Sequence, residues 1–204
     1  MFRILLVIFI AALSIAWIDR EPGELPAGEL APRAPVQLKQ SNLTDIEYRD
    51  FQLSPKAFYL ITARVLARED YFLDKESDIS PTDLALGWGP MSDSSVLEKF
   101  EISQSNRWYY WKSYNLPIAR RQVRNSSANV HMIPANDQVS DALKSVDVDQ
   151  VVSMEGYLVD ARGRDGSLWK TSLSRDDTGQ GACELFYVEK LHILSPTEYN
   201  RGEG

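Results

Sequence analysis

Two polar, irregular stretches of the sequence contain the side chains from which an activated thiol is assembled. Residues 126–134 include His131, and residues 172–184 include Arg175 and Cys183, the only cysteine of the chain. The thiolate is the nucleophilic form of cysteine, and a neighbouring imidazole or cation favours its formation. The sequence therefore predicts one candidate catalytic set, with Cys183 as nucleophile, His131 as base and Arg175 as the clamp for an oxyanion or a carboxylate.

Each member of this set also has an ordinary structural interpretation. Cys183 opens an apolar segment, where a small buried thiol is common. His131 lies among apolar residues and is equally consistent with a core or edge-strand histidine. Arg175 and Asp176 lie in a glycine-containing stretch that is typical of a solvated turn with a local ion pair. The sequence leaves both interpretations open.

The order of these residues resembles that of the exported sortase-type transpeptidases, in which a histidine, a helix, strands and a cysteine follow an N-terminal tether. The resemblance implies acyl transfer through Cys183. That family carries a Thr-x-Thr-Cys run at the nucleophile and an arginine on a following strand. Here Gln180-Gly181-Ala182-Cys183 stands at the first place, and only Arg201 follows, beyond the last predicted strand.

Aromatic residues offer a second kind of candidate site. In the run Arg107 to Trp111, a strand would place Trp108 and Tyr110 on one face and Tyr109 and Trp111 on the other. Such faces either pack in a core or form platforms for sugars, peptides or bases. The tentative binding residues are Trp88, Trp108, Tyr110, Asn129 and Asp176.

Several classes of function find no support in the sequence. A structural zinc site needs about four Cys or His ligands, and the chain has one Cys and two His. It carries no phosphate loop, dinucleotide fingerprint or Gly-x-Ser-x-Gly elbow. The net charge of −7 disfavours nucleic acid as a partner. We therefore expect no metal, no cofactor and no nucleic acid.

The N-terminal segment predicts where the protein acts. Residues 4–18 carry no charge and one polar side chain, Ser14. This length falls between a signal-peptide core and the roughly 20 residues of a spanning helix, so an uncleaved anchor, a cleaved signal and a buried helix all stay open. We expect a membrane-anchored protein with an extracytoplasmic C-terminal domain, secreted or periplasmic if the segment is cleaved. The membrane, through residues 4–18, and an envelope protein are the expected partners.

The rest of the chain divides into a spacer and one domain. We assign residues 1–20 to the anchor or signal, 21–37 to a proline-rich spacer, 38–196 to a single globular α+β domain and 197–204 to a flexible tail.

Local patterns predict the elements of that domain. Ala57–Ala67 is rich in β-branched and aromatic residues, which indicates a strand. Ser80-Pro81 is typical of a helix start, and residues 137–146 have the spacing of an amphipathic helix. Residues 150–173 form a hairpin around an Asp-Gly turn, with a bulge or bend at Gly156. The predicted fold is α+β, a small strongly bent antiparallel sheet or partly open β-barrel with three short helices, preceded by the N-terminal hydrophobic helix.

These expectations favour a binding or interaction module, tethered at the membrane and acting outside the cytoplasm, such as a subunit of an envelope assembly. The alternative is an exported thiol acyl-transfer enzyme of sortase-like logic that uses Cys183 and His131. We expect a binding protein rather than an enzyme.

Overall fold

A computed structural model describes residues 28–40, 43–73, 75–174 and 183–200. The predicted membrane segment, Arg175 and Asp176 lie outside these ranges. Within them, the structure has no helix with the length and apolar character needed to cross a bilayer.

The described chain forms ten strands and four α-helices. The strands are β1 (Val36–Lys39), β2 (Ile46–Tyr48), β3 (Phe51–Asp70), β4 (Thr82–Gly87), β5 (Glu101–Ser105), β6 (Trp108–Lys112), β7 (Ser127–Pro134), β8 (Val151–Gly163), β9 (Leu168–Trp169) and β10 (Glu184–Leu194). The helices are α1 (Ser94–Leu97), α2 (Arg120–Asn125), α3 (Asp137–Lys144) and α4 (Pro196–Asn200), and short 3-10 turns span Lys75–Asp78 and Gly89–Ser92.

Five strands pair in a closed ring. The order is β3, β4, β7, β10 and β8, and β8 pairs again with β3. The pairs are antiparallel except β7 with β10, which is parallel. Strands β1 and β2 extend the sheet beside β3, and β9 extends it beside β8, whereas β5 and β6 form a separate hairpin. The long β3 closes the ring. It pairs with β8 along one side and with β2, β1 and β4 along the other.

The predicted fold class is wrong in sheet size, strand direction and helix number. We expected a small antiparallel sheet or a partly open barrel with three short helices, and the structure has a mixed sheet of eight strands with four helices. One cause is the Ser80-Pro81 signal, which precedes a strand and not a helix. Every residue of β4 is buried, and its backbone pairs with β3 and β7 on its two sides. Sheet pairing at this place outweighs the local preference for a helix start.

The main core fills the inside of the ring. Tyr59 and Phe186 meet edge to face there, with ring centroids 5.1 Å apart, and α3 contributes Val139 and Leu143. Leu30 belongs to the same core although it falls in the predicted spacer. The predicted domain limits remain a prediction.

Gly156 allows β8 and β10 to approach each other closely. A Cβ atom at this position would lie 2.0 Å from the carbonyl oxygen of Tyr187. The register of β10 shifts between Val188 and Lys190, directly opposite Gly156. A bulge therefore lies opposite Gly156, but its extra residue is on β10 and not on the strand for which it was expected.

Candidate functional site

The candidate site lies on the outer face of β4, β7 and β10. Side chains alternate along a strand, so Leu84 and Val130 point into the ring while Asp83 and His131 point away from it. Asp83 and His131 are direct partners in the β4–β7 ladder. They are 0% and 3% exposed, so the site is built on a buried carboxylate and a buried imidazole.

Asp83 is shared between a guanidinium and an imidazole. Nη1 of Arg107 donates to Oδ1 at 2.9 Å and to the carbonyl oxygen of Ser80 at 2.8 Å. Nδ1 of His131 lies 2.9 Å from Oδ2. The two atoms are not aligned well enough for a regular hydrogen bond. The positive charge of Arg107 compensates the buried carboxylate.

Arg107 reaches the site from the tip of the β5–β6 hairpin. Asn106 and Arg107 have φ of 52° and 68°, as a two-residue hairpin turn requires. The Arg107 N–H donates to the Tyr71 hydroxyl at 2.8 Å, and the guanidinium carbon lies 3.7 Å from the centre of the Tyr71 ring. Burial raises the pKa of Tyr71 to about 12. The hairpin tip is therefore fixed to the end of β3 as well as to Asp83.

The second nitrogen of His131 is available to a ligand. The imidazole lies against the Trp169 ring, with centroids 4.7 Å apart and an angle of 53° between the planes. Nδ1 is directed to Asp83, while Nε2 has no hydrogen-bond partner among the described residues. Because His131 lines a pocket, Nε2 is the polar atom that this histidine can offer to an occupant.

The pocket has a volume of about 360 Å³, within the range of roughly 300–1,000 Å³ that is usual for small-ligand sites. Its apolar wall includes Phe51, Ile79, Trp108 and Trp169. Its polar lining includes Glu76, Arg107, His131, Lys170 and Cys183. Lys170 is exposed, and its ammonium makes no ion pair or hydrogen bond to the part of the chain that is described.

Several residues singled out from the sequence meet at this pocket. His131, Cys183 and Trp108 line it, and Nδ2 of Asn129 lies 3.8 Å from Sγ of Cys183. Asn129 is held in turn by Nε2 of Gln104 at 2.5 Å and donates to the carbonyl oxygen of Arg107 at 3.0 Å.

The remaining candidates lie elsewhere. Trp88 is 2% exposed and belongs to the main core. Tyr110 is exposed and does not contribute to the pocket. Arg175 and Asp176 lie outside the described residues, so their predicted roles stay predictions. No group of three or more acidic, Cys or His residues suited to a metal ion occurs within the described ranges.

Asp83, Arg107 and Trp169 were missed as functional candidates. Asp83 carried a usable signal, because it is the one charged residue in the apolar segment that became β4, and a fully buried acid needs a partner. For Arg107 the left-handed hairpin turn was not recognised, because Asn-Arg lacks the glycine that usually marks it.

Comparison with known proteins supplies no relative: no protein-family model, no curated protein and no solved structure matches this chain.

Proposed function

We propose that the protein is a membrane-tethered, extracytoplasmic binding module for a small planar organic acid. The observation that carries this proposal is the pocket, where a buried imidazole, whose Nε2 has no partner among the described residues, and the cation Lys170 border the rings of Trp108 and Trp169. The position outside the cytoplasm rests on residues 4–18 of the sequence.

The aromatic walls favour a flat ligand. Two tryptophan rings and Phe51 offer broad apolar surfaces, and aromatic pairs contribute about 0.5–1.5 kcal/mol beyond the area that they bury. A pocket of about 360 Å³ accommodates one ring with its substituents. These features support a single-ring ligand over an extended chain.

The polar lining favours an acidic group on that ligand. Arg107 is already compensated by Asp83, so Lys170 supplies the available positive charge among the lining residues that the structure describes. Glu76 is the one carboxylate of the described lining, and more of the lining side chains carry hydrogen-bond donors. Charge-assisted hydrogen bonds are roughly twice as strong as neutral ones, which makes Lys170 the expected anchor of a carboxylate.

The test is calorimetric titration of the full chain in lipid nanodiscs with benzoate and with benzylamine, its cationic counterpart. We expect benzoate to bind and benzylamine to fail. Lys170→Ala should weaken benzoate about tenfold, while Lys144→Ala, a change at an exposed lysine of α3, should leave it unchanged. Equal affinities for the two compounds, or no effect of Lys170→Ala, would contradict the proposal.

The tether is tested separately by fusing alkaline phosphatase to the C-terminus in a bacterial host. High phosphatase activity is expected, because that enzyme folds only where its disulfides form. A second fusion at the same position carries a reporter that is active only in the cytoplasm. Activity of this reporter without phosphatase activity would contradict export.

A second candidate function is thiol acyl transfer, and the shared pocket of Cys183 and His131 favours it. Asp83 beside the imidazole gives the base the orienting carboxylate that nucleophilic sites use. In this reaction His131 takes the proton of the Cys183 thiol, Sγ bonds to the acyl carbon as the bond from that carbon to the leaving group breaks, and the leaving group departs with the proton from His131. Iodoacetamide labelling of Cys183 should then occur well below pH 8; a rise only near the ordinary thiol pKa of about 8.5 would count against it.

A further inference from the structure

We infer that Asp83 holds His131 as a hydrogen-bond acceptor toward the pocket, so that the ligand is a planar acid that also carries a hydroxyl group. The class that fits is the aromatic hydroxycarboxylates. This inference rests on the proposed binding function and names the ligand chemistry of the same pocket.

The first step concerns the tautomer of His131. A neutral imidazole carries its proton on one nitrogen, while an ionised carboxylate can only accept. Oδ2 of Asp83 is fully buried and lies 2.9 Å from Nδ1. A bare lone pair on Nδ1 would face that negative charge at close range, so the proton belongs on Nδ1 and the lone pair on Nε2.

The second step concerns what holds Asp83 in place. Its Oδ1 accepts from Nη1 of Arg107 at 2.9 Å and lies 3.4 Å from Oγ of Ser80. These contacts satisfy Oδ1 and direct Oδ2 toward His131. Asp83 does not line the pocket and acts through the imidazole of His131. It is therefore a positioning residue and not a ligand contact.

The third step concerns the pocket side of the ring. Nε2 has no partner among the described residues, and the Trp169 ring 4.7 Å away restricts rotation of the imidazole. Nδ2 of Asn129 donates to Sγ of Cys183 at 3.8 Å and not to Nε2. An occupant therefore has to bring its own donor, and a hydroxyl group on the acid supplies one.

The experiment compares benzoate, the hydroxybenzoate isomers and their methoxy counterparts, which keep the oxygen but lack the donor. Binding to the full chain in nanodiscs is measured by calorimetry. We expect one hydroxybenzoate isomer to bind about tenfold more tightly than benzoate, and its methoxy counterpart to lose that advantage. Hydroxy and methoxy compounds that bind equally would overturn the inference.

Asp83→Asn tests the positioning role with little change in shape. Arg107 retains the amide oxygen, the amide NH₂ group turns to Nδ1, and the proton moves to Nε2. The preference for the hydroxyl over the methoxy compound should then be lost, because Nε2 donates to either oxygen. Preference for the hydroxyl at the wild-type level would overturn the role of Asp83.

Nitrogen NMR of histidine-labelled protein reads the tautomer directly, and His192→Gln identifies the second histidine signal. We expect Nδ1 to be protonated in the neutral wild-type imidazole; protonation on Nε2 overturns the inference even if Asp83→Asn does not fold. If benzoate and all of its derivatives fail to bind, the proposed binding function fails, while the tautomer still decides the role of Asp83.

Discussion

At the scale of single residues, Arg107 connects parts of the molecule that are far apart in the sequence. Its backbone contacts the Tyr71 hydroxyl and the Asn129 amide, and its guanidinium contacts Asp83 and the Ser80 carbonyl. It is thus a structural anchor of the hairpin as well as a wall of the pocket.

Replacing Arg107 should be costly because Asp83 is fully buried. Arg107→Gln leaves that carboxylate without its compensating charge, and we expect the free energy of unfolding to fall by about 3 kcal/mol. Urea denaturation measures the change. The control Arg121→Gln alters an exposed arginine of α2 and should cost less than about 0.5 kcal/mol. A similar cost for both variants would contradict this account of the buried pair.

Tyr109 predicts how stability responds to alkali. Burial raises its pKa from 10.0 to about 12, against a smaller opposing effect of the Ser127 hydroxyl. The folded state therefore holds this proton more tightly than the unfolded state, so stability is full below pH 10 and falls as the pH rises from 10 to 12. Tyr109→Phe removes this group, and its unfolding free energy should decline less over that range. Chemical denaturation at several pH values measures this dependence. If the unfolding free energy of Tyr109→Phe falls with pH as steeply as that of the wild type, the assignment is contradicted.

The residues of the site were only partly predictable. Cys183, His131 and Trp108 were chosen for their chemistry, and the structure does place all three at one pocket. The partner of His131 was not found because Asp83 adjoins it only through the register of β4 with β7. No spacing within the sequence encodes that contact.

At the scale of elements, local sequence patterns identified a strand, a helix and a turn. The predicted strand Ala57–Ala67 lies inside β3. The predicted helix begins as α3 with Asn136 as its cap, whose side chain accepts from the Val139 N–H. A hairpin does form around Gly166, although its second strand is limited to Leu168–Trp169. The helix signal before β4 was misleading, because pairing with β3 and β7 makes this segment a strand.

The approach of β8 to β10 predicts a steric effect at Gly156. In Gly156→Ala the new methyl group meets the Tyr187 carbonyl oxygen at 2.0 Å, and we expect a loss of about 2–3 kcal/mol in the free energy of unfolding. Gly166 is the comparison, because its φ is +86° but nothing lies within 4 Å of a Cβ there. Gly166→Ala should cost only about 1 kcal/mol. If thermal and urea denaturation give equal costs, steric contact is not what selects glycine at position 156.

At the scale of the whole molecule, the ring closes only when the last long strand is in place. β10 lies between β7 and β8, so without it both strands would expose an unpaired edge. The parallel pairing of β7 with β10 is also the feature least accessible from sequence, because it joins segments that many residues separate and no turn links.

A chain that ends at Ala182 should therefore fail to fold. We expect loss of the cooperative thermal transition in circular dichroism, together with aggregation through the exposed edges. A chain that ends at Leu194 keeps β10 and loses α4, and it should retain a cooperative transition. A cooperative transition in the shorter chain would show that the ring is not needed for a stable core.

The closed ring has a practical consequence for measurements in living cells. Asp83, Arg107, His131 and Cys183 come from four separate stretches of the chain, and they adjoin one another only in the assembled structure. A fluorescent compound that occupies this pocket would consequently report the fraction of molecules that have matured completely, and a partly folded or truncated chain would give no signal.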